Sequence, residues 1–170
     1  MINYIQISCL KIYLNAFNHF NNAMIIREFT ERDMNEITQL MKNLCKLKGQ
    51  TFNEQRWRSS LEKHLKKDTN SEVLVAFDKD SKKVLGMANC YIETSENGFR
   101  FGYLSNLIVR EEKRRAGIGE TLIHHAIDYF KRNHVESVRI ALKSDMNKAA
   151  EKLFTKVGFT KLFEIWNLEI

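Results

Sequence analysis

Arg110-Glu-Glu-Lys-Arg-Arg-Ala-Gly-Ile-Gly-Glu120 follows directly on the apolar run Tyr103-Leu-Ser-Asn-Leu-Ile-Val109 and leads directly into the helical stretch Thr121–Arg132. The order is a strand, a basic glycine-containing turn and a helix N-terminus. The first turn of a helix has N–H groups without intrahelical partners and carries the positive end of the macrodipole, and the two together favour phosphate. Gly117 and Gly119 leave out the side chains that would hold the backbone away from a ligand. Arg114 and Arg115 add fixed charge beside it. The stretch is suited to a pyrophosphate.

Which pyrophosphate ligand it suits follows by elimination. A Walker A loop closes on Gly-Lys-Ser/Thr, whereas Gly119 is followed by Glu120 and Thr121. A dinucleotide fingerprint needs a third glycine where Leu122 stands. What remains, Arg114-x-x-Gly117-x-Gly119, resembles the Gln/Arg-x-x-Gly-x-Gly/Ala signature of the GNAT superfamily of acyl-CoA-dependent N-acyltransferases. A second stretch, Asn147-Lys-Ala-Ala-Glu-Lys-Leu-Phe-Thr-Lys-Val-Gly-Phe159, is similar to that family's later segment, an asparagine opening a helix that ends in Gly-Phe. Asn147 suits an N-cap, Ala150, Leu153 and Val157 recur at helical spacing, and Gly158 suits a left-handed C-cap. The resemblance covers about Met24 to Ile170. It implies an α+β fold of the GNAT type, a mixed and mostly antiparallel sheet of about six or seven strands flanked by about four helices.

Composition agrees with one domain. The 170 residues suffice for a single sizeable core, and 44 % apolar with 28 % charged residues is the balance of a soluble globular chain. No run of about eighteen apolar residues marks a membrane span. Cys9, Cys45 and Cys90 are odd in number and lack Cys-x-x-Cys spacing, which argues against a disulfide framework or zinc site and for a reducing, cytoplasmic setting without a metal. The net charge of +6 reads in part as a lysine-rich surface and in part as the crowding of Arg110, Lys113, Arg114 and Arg115 on one turn. Nucleic-acid binding would use the same excess, but no reading element accompanies it.

Along the chain, residues 1–23 are apolar yet repeatedly broken by Asn, Gln and Ser, without the basic and apolar regions of a secretory signal. They read first as a translated stretch upstream of a true start at Met24, or else as an added helix or a partner-binding segment. Residues 24–170 read as one N-acetyltransferase domain. Met24-Ile-Ile-Arg-Glu-Phe looks like a first strand. Thr30-Glu-Arg-Asp33 opens a helix with a variant capping box, and Met34, Ile37, Leu40, Met41, Leu44 and Leu47 give its apolar stripe. A second helix runs from about Glu54 to Lys66, followed by strands over Val73–Phe77, Val84–Ile92 and, past a Ser95–Gly98 hairpin turn, Phe99–Val109. After the long helix come a strand over Val135–Leu142, the helix from Asn147, and a last strand or pair of strands over Thr160–Ile170.

The resemblance also implies a chemistry. Backbone groups of Leu107, Ile108 and Val109 would pair with the pantetheine arm of acetyl-CoA, and an amide on that strand would polarise the thioester carbonyl. The turn formed by Arg114, Arg115, Ala116, Gly117, Ile118, Gly119 and Glu120 would hold the pyrophosphate, with Asn147 and Phe154 completing the cofactor contacts. A primary amine of a small molecule or protein would attack the thioester directly, so the amine must be neutral and the departing thiolate must gain a proton. Relatives often carry a tyrosine acid where Phe154 stands and a carboxylate where Tyr103, Ser105 and Asn106 stand. Tyr103 is therefore the nominee for the acid and Glu93, through a water, for the base. These departures keep open a non-catalytic acyl-CoA-binding module as the alternative. Homodimers are frequent among such proteins, which makes one an expected assembly. Trp57 and Trp166 read as core aromatics or, second, as acceptor-cleft aromatics, and the adjacent His124 and His125 point about 100° apart, too divergent to share a metal.

Overall fold

The structure is a computed structural model that describes residues 23–67, 70–142, 148–162 and 168. By their internal packing the residues divide into two compact units, Met1–Ile140 and Ala141–Ile170. The expectations placed on residues 1–22, on Asn147 and on Trp166 lie outside the described residues, as does most of the expected last strand.

The first unit is built on a five-stranded sheet in the order β1-β2-β3-β4-β5, with β1 Met24–Glu28, β2 Ser71–Asp78, β3 Lys83–Thr94, β4 Arg100–Val109 and β5 Ser137–Arg139. The first four pair antiparallel, and β5 lies parallel to β4. β3 is the central strand, buried from Val84 to Cys90 because helices cover both of its faces. On one face sit helices α1 (Met34–Leu47) and α2 (Glu54–Leu65), whose Ile37, Leu40, Leu44, Trp57 and Leu61 pack with Val73, Val75, Val84, Met87 and Ile108. Burying five side chains of this size contributes roughly 1.5–3 kcal/mol each before entropy is counted. The expected α1 stripe holds except at its end, where Leu47 is 55 % exposed, since the helix stops there and Lys48–Gln50 turn away.

On the other face lies α3 (Ile118–Arg132), burying Ile118, Leu122, Ile123, Ala126 and Phe130 against β3 and β4. Gly102 allows this approach. A Cβ there would lie 2.5–2.9 Å from three carbons of the Phe130 ring.

The start of α1 is fixed by charge as well as by hydrophobicity. The Thr30 N–H donates to Asp33 Oδ2 at 2.7 Å, and Arg27 grips the same carboxylate at 2.6 and 3.0 Å. Burial alone would raise the Asp33 carboxyl, but Arg27 and the two Thr30 donors together hold it below the usual carboxylate range. In the second unit, α4 (Lys148–Val157) buries Phe154, and Gly158 adopts φ +103° at its C-terminus, the left-handed cap expected there.

Candidate functional site

The basic turn is a nest of unsatisfied donors. After a short helical turn at Glu111–Lys113, Arg114 is extended, Arg115 is left-handed at φ 63°, and Gly117 is left-handed at φ 79° before α3 begins. Left-handed residues in a tight turn before a helix bring successive N–H groups close together. Among the described residues, none of the N–H groups of Arg115, Ala116, Gly117, Ile118 and Gly119 donates to a protein acceptor. The Gly117 carbonyl is turned the other way, accepting from the Thr121 N–H at 3.0 Å and the Thr121 hydroxyl at 3.1 Å. A non-glycine residue held left-handed is strained, and such strain concentrates where function requires it. The helix begins at Ile118 and not at Thr121, so Ile118, Gly119 and Glu120 form its first turn, at the positive end of its dipole.

Not all of the basic cluster faces outward. Arg110 is tied inward, its Nε donating to the Val84 carbonyl at 2.5 Å and its Nη2 to Glu36 at 2.9 Å. Glu36 also accepts from the Val84 N–H at 2.7 Å, so this arginine fastens α1 to the β3–β4 edge and is not available to a ligand. Arg114 reaches back to the Val109 carbonyl at 3.3 Å, which leaves that carbonyl one lone pair.

Strand β4 is interrupted just upstream. Met87 pairs with Ile108 but Asn89 pairs with Ser105, so β4 carries one residue more than β3 across this interval. Asn106 takes up the excess in a left-handed conformation, φ 49°. The parallel pairing with β5 runs only from Phe101–Ser137 to Tyr103–Arg139. β5 is thus far shorter than the expected Val135–Leu142, and among the described residues no strand pairs with the outer edge of β4 from Leu104 to Val109. An open backbone edge, containing Leu107, Ile108 and Val109, therefore runs from the bulge to the donor-rich turn.

The two nominees for proton transfer sit on one face of the sheet, the face of α1 and α2. Tyr103 pairs across with Tyr91, and Glu93 pairs across with Phe101. Glu93 lines a cleft of about 280 Å³ together with Tyr91, Ser60, His64 and Ser71. Residues that the sequence did not single out gather there. His64 Nδ1 lies 2.7 Å from the Ser60 carbonyl and must carry the proton to bond it, so Nε2 accepts from the Ser71 hydroxyl at 2.8 Å. Asn89, fully buried, donates to the Tyr91 hydroxyl at 3.1 Å and has no partner for its Oδ1 among the described residues. Strand alternation in Asn89-Cys-Tyr-Ile-Glu93 was the one signal that could have grouped Asn89, Tyr91 and Glu93.

Other residues fall out of the chemistry. Cys45 and Cys90 are buried and free, and burial pushes the Cys90 thiol up to about 12, which makes it a poor nucleophile. Trp57 is core. His124 and His125 are exposed on α3. Phe154 packs edge-on to Phe159 at 5.4 Å between centroids. Among the described residues no three metal-ligating side chains converge, and no helix is long and apolar enough to cross a membrane.

A bulged β4 with an open edge, leading into a left-handed turn at a helix N-terminus, is the architecture of the acyl-CoA N-acyltransferase fold. The family model for the acetyltransferase (GNAT) family matches residues 35–159, and the chain belongs to that family. It is 28 % identical over 155 residues to the GCN5-related N-acetyltransferase 6, chloroplastic, of Arabidopsis thaliana, covering 84 % of this chain and 51 % of that protein. The chain thus spans about half the length of the curated relative it matches. A probable acetyltransferase of known structure superimposes with a TM-score of 0.74 at 24 % identity, over 86 % of this chain and 97 % of its own. A predicted acetyltransferase from Clostridium acetobutylicum, solved with acetyl-CoA, gives 0.69 at 14 % identity, over 86 % of this chain and 96 % of its own. At such identities these structures speak for the fold.

Proposed function

We propose that the protein transfers an acetyl group from acetyl-CoA directly to a primary amine of a small molecule or protein. The observation that carries this reading is the run of unpartnered N–H groups from Arg115 to Gly119, continuous with the open edge of β4. Five unpartnered donors at a helix N-terminus fit a pyrophosphate in number and polarity. A Cβ at Gly117 would point into open space, where a ligand would approach. Arg114 and Arg115 supply charge at the rim. Bound there, acetyl-CoA supplies an activated acyl thioester, and the chain's own groups do the rest.

The backbone of Leu107 to Val109 lines the pantetheine path, and the bulge at Asn106 turns an amide toward the thioester carbonyl. Tyr103 and Glu93 stand on the α1/α2 face, where an acceptor reaches the bulge. Tyr103 serves the departing thiolate, and Glu93, opposite Phe101 and so down the cleft from the bulge, takes the proton of the attacking amine through a file of waters. General acid–base terms of this kind are worth ~10²–10⁴ in rate. The family match from 35 to 159 supports treating residues 24–170 as one domain. Two free, buried cysteines suit a reducing aqueous compartment such as the cytoplasm.

The decisive experiment follows free-thiol release from acetyl-CoA across a panel of amines. Amine-dependent thiol release that falls in Tyr103→Phe supports the assignment. A second reading, an acyl-CoA-binding module without turnover, is favoured by Phe154, whose ring is committed to packing and cannot donate a proton. Acetyl-CoA binding with no thiol release for any amine selects that reading.

A further inference from the structure

Arg139 is the last residue of β5 to pair with β4, and it stands opposite Tyr103 where the two strands part. Its guanidinium lies over the Phe101 ring, 4.1 Å from the centroid. Phe101 in turn meets Tyr103 edge-on at 5.7 Å and stacks with Phe99 at 6.3 Å. Since Phe101 and Tyr103 share the face that carries Tyr91 and Glu93, Arg139 belongs to the acceptor side of the sheet.

The guanidinium is held by its flat face, and among the described residues its charge is unanswered. Among the described residues no carboxylate lies within ion-pair distance of Arg139, although Arg27, Arg58 and Arg110 each have one. Its Nε is sealed from solvent and has no acceptor among the described residues. A half-buried arginine is ordinarily paired, because its donors must be satisfied and its charge offset. An aromatic face keeps the planar fork oriented without consuming its donors, an arrangement suited to carboxylate or phosphate.

We propose that Arg139 selects the acceptor by an anionic group on the amine, a carboxylate or a phosphate. The inference rests on the acyltransferase reading above, which places the reacting nitrogen near the bulge at Asn106. Phe101 and Asn106 are five residues apart on β4, about 16 Å at ~3.3 Å per residue, and a contact of roughly 3 Å at each end leaves the anion and the amine of the acceptor on the order of 10 Å apart. An extended acceptor fits this spacing, and a short α-amino acid does not.

The test compares 8-aminooctanoate and 8-aminooctyl phosphate with uncharged 8-aminooctanamide, using the full chain, both by calorimetric titration in the presence of CoA and by thiol release with acetyl-CoA. The expected result is at least tenfold tighter binding of one or both anionic amines than of the amide. The Arg139→Met variant keeps the packing stem, and it should lose ~10- to 100-fold in affinity and in kcat/KM for the anions, chiefly through KM, with the amide unchanged. Which anion gains more distinguishes carboxylate from phosphate. Equal binding of all three ligands by the unaltered chain, or equal losses for all three in Arg139→Met, overturns the proposal. Anion-selective binding without thiol release would sustain Arg139 while refuting turnover. Turnover without anion selectivity would do the reverse.

Discussion

Replacing Gly117 with alanine separates two roles that this residue combines. Its φ of 79° lies in the left-handed region, and a Cβ built there meets no heavy atom within 4 Å. The fold therefore loses nothing to a clash and suffers only the left-handed strain of an L-residue, ~1–2 kcal/mol. For a chain of this size that lowers Tm by roughly 2–8 °C. Ligand binding should suffer more, because the methyl group stands in the space before the donors of Arg115 to Gly119. Losing one charge-assisted hydrogen bond costs ~1.5–3 kcal/mol, or ~10- to 100-fold in affinity. The assay is a pair of thermal melts, with and without acetyl-CoA. At a hundred times its Kd the ligand adds ~2.7 kcal/mol to the parent, a shift of roughly 5–11 °C. The same concentration should give the variant only ~0.4–1.4 kcal/mol, roughly 1–6 °C. A variant that melts lower but keeps the full acetyl-CoA shift would refute the placement of the pyrophosphate on this turn. One that melts like the parent would refute the strain argument.

Three further predictions come from the interior. Gly102→Ala drives a methyl into the Phe130 ring and should destabilise by about 1–3 kcal/mol in chemical denaturation, with Gly102→Ala/Phe130→Leu recovering part of it; simple additivity in that cycle would show that the ring does not confront the strand. Glu72 is pushed up to about 7, first by burial and then by neighbouring Glu28, against the opposing Val73 N–H. A carboxyl raised in the folded state binds more protons folded than unfolded, so its contribution is complete below about pH 4.5 and is lost as pH rises through about 7. After discounting for its partial exposure, Glu72→Gln should stabilise by about 1 kcal/mol at pH 8 and by nothing at pH 4, and a pH-independent effect on Tm would contradict the assignment. Phe154→Tyr should leave acetyl-CoA affinity intact and turnover no lower, and a large loss of affinity in titration would mean that the ring packs against the ligand.

The order of elements was legible because each step has a local cause. Apolar runs bounded by turn residues produced β2, β3 and β4, the 3.6-residue period produced α1 and α2, and Ser95–Gly98 closed the hairpin with Gly98 at φ 83°. Element ends were less legible. β5 shrank to Ser137–Arg139, a strand's length being set by the neighbour it pairs with. The glycines of the turn were visible in one dimension, as was the charge of Arg114 and Arg115. That Arg110 would face Glu36, across the fold from its sequence neighbours, was not visible, because nothing local distinguishes an arginine that reaches inward from one that reaches out.

The sequence by itself determined where the chain turns, which faces are apolar, and that a donor-rich helix start follows a strand, since these are properties of residue type and spacing. Only the tertiary structure decided which side chains share a site. Asn106 as the bulge, Asn89 beneath Tyr91, and Arg139 over Phe101 all depend on register between strands, and a shift of one residue sends a side chain to the opposite face. Register is fixed by the packing of the whole sheet against α1, α2 and α3, so the chemistry of the acceptor side exists only once the core has closed.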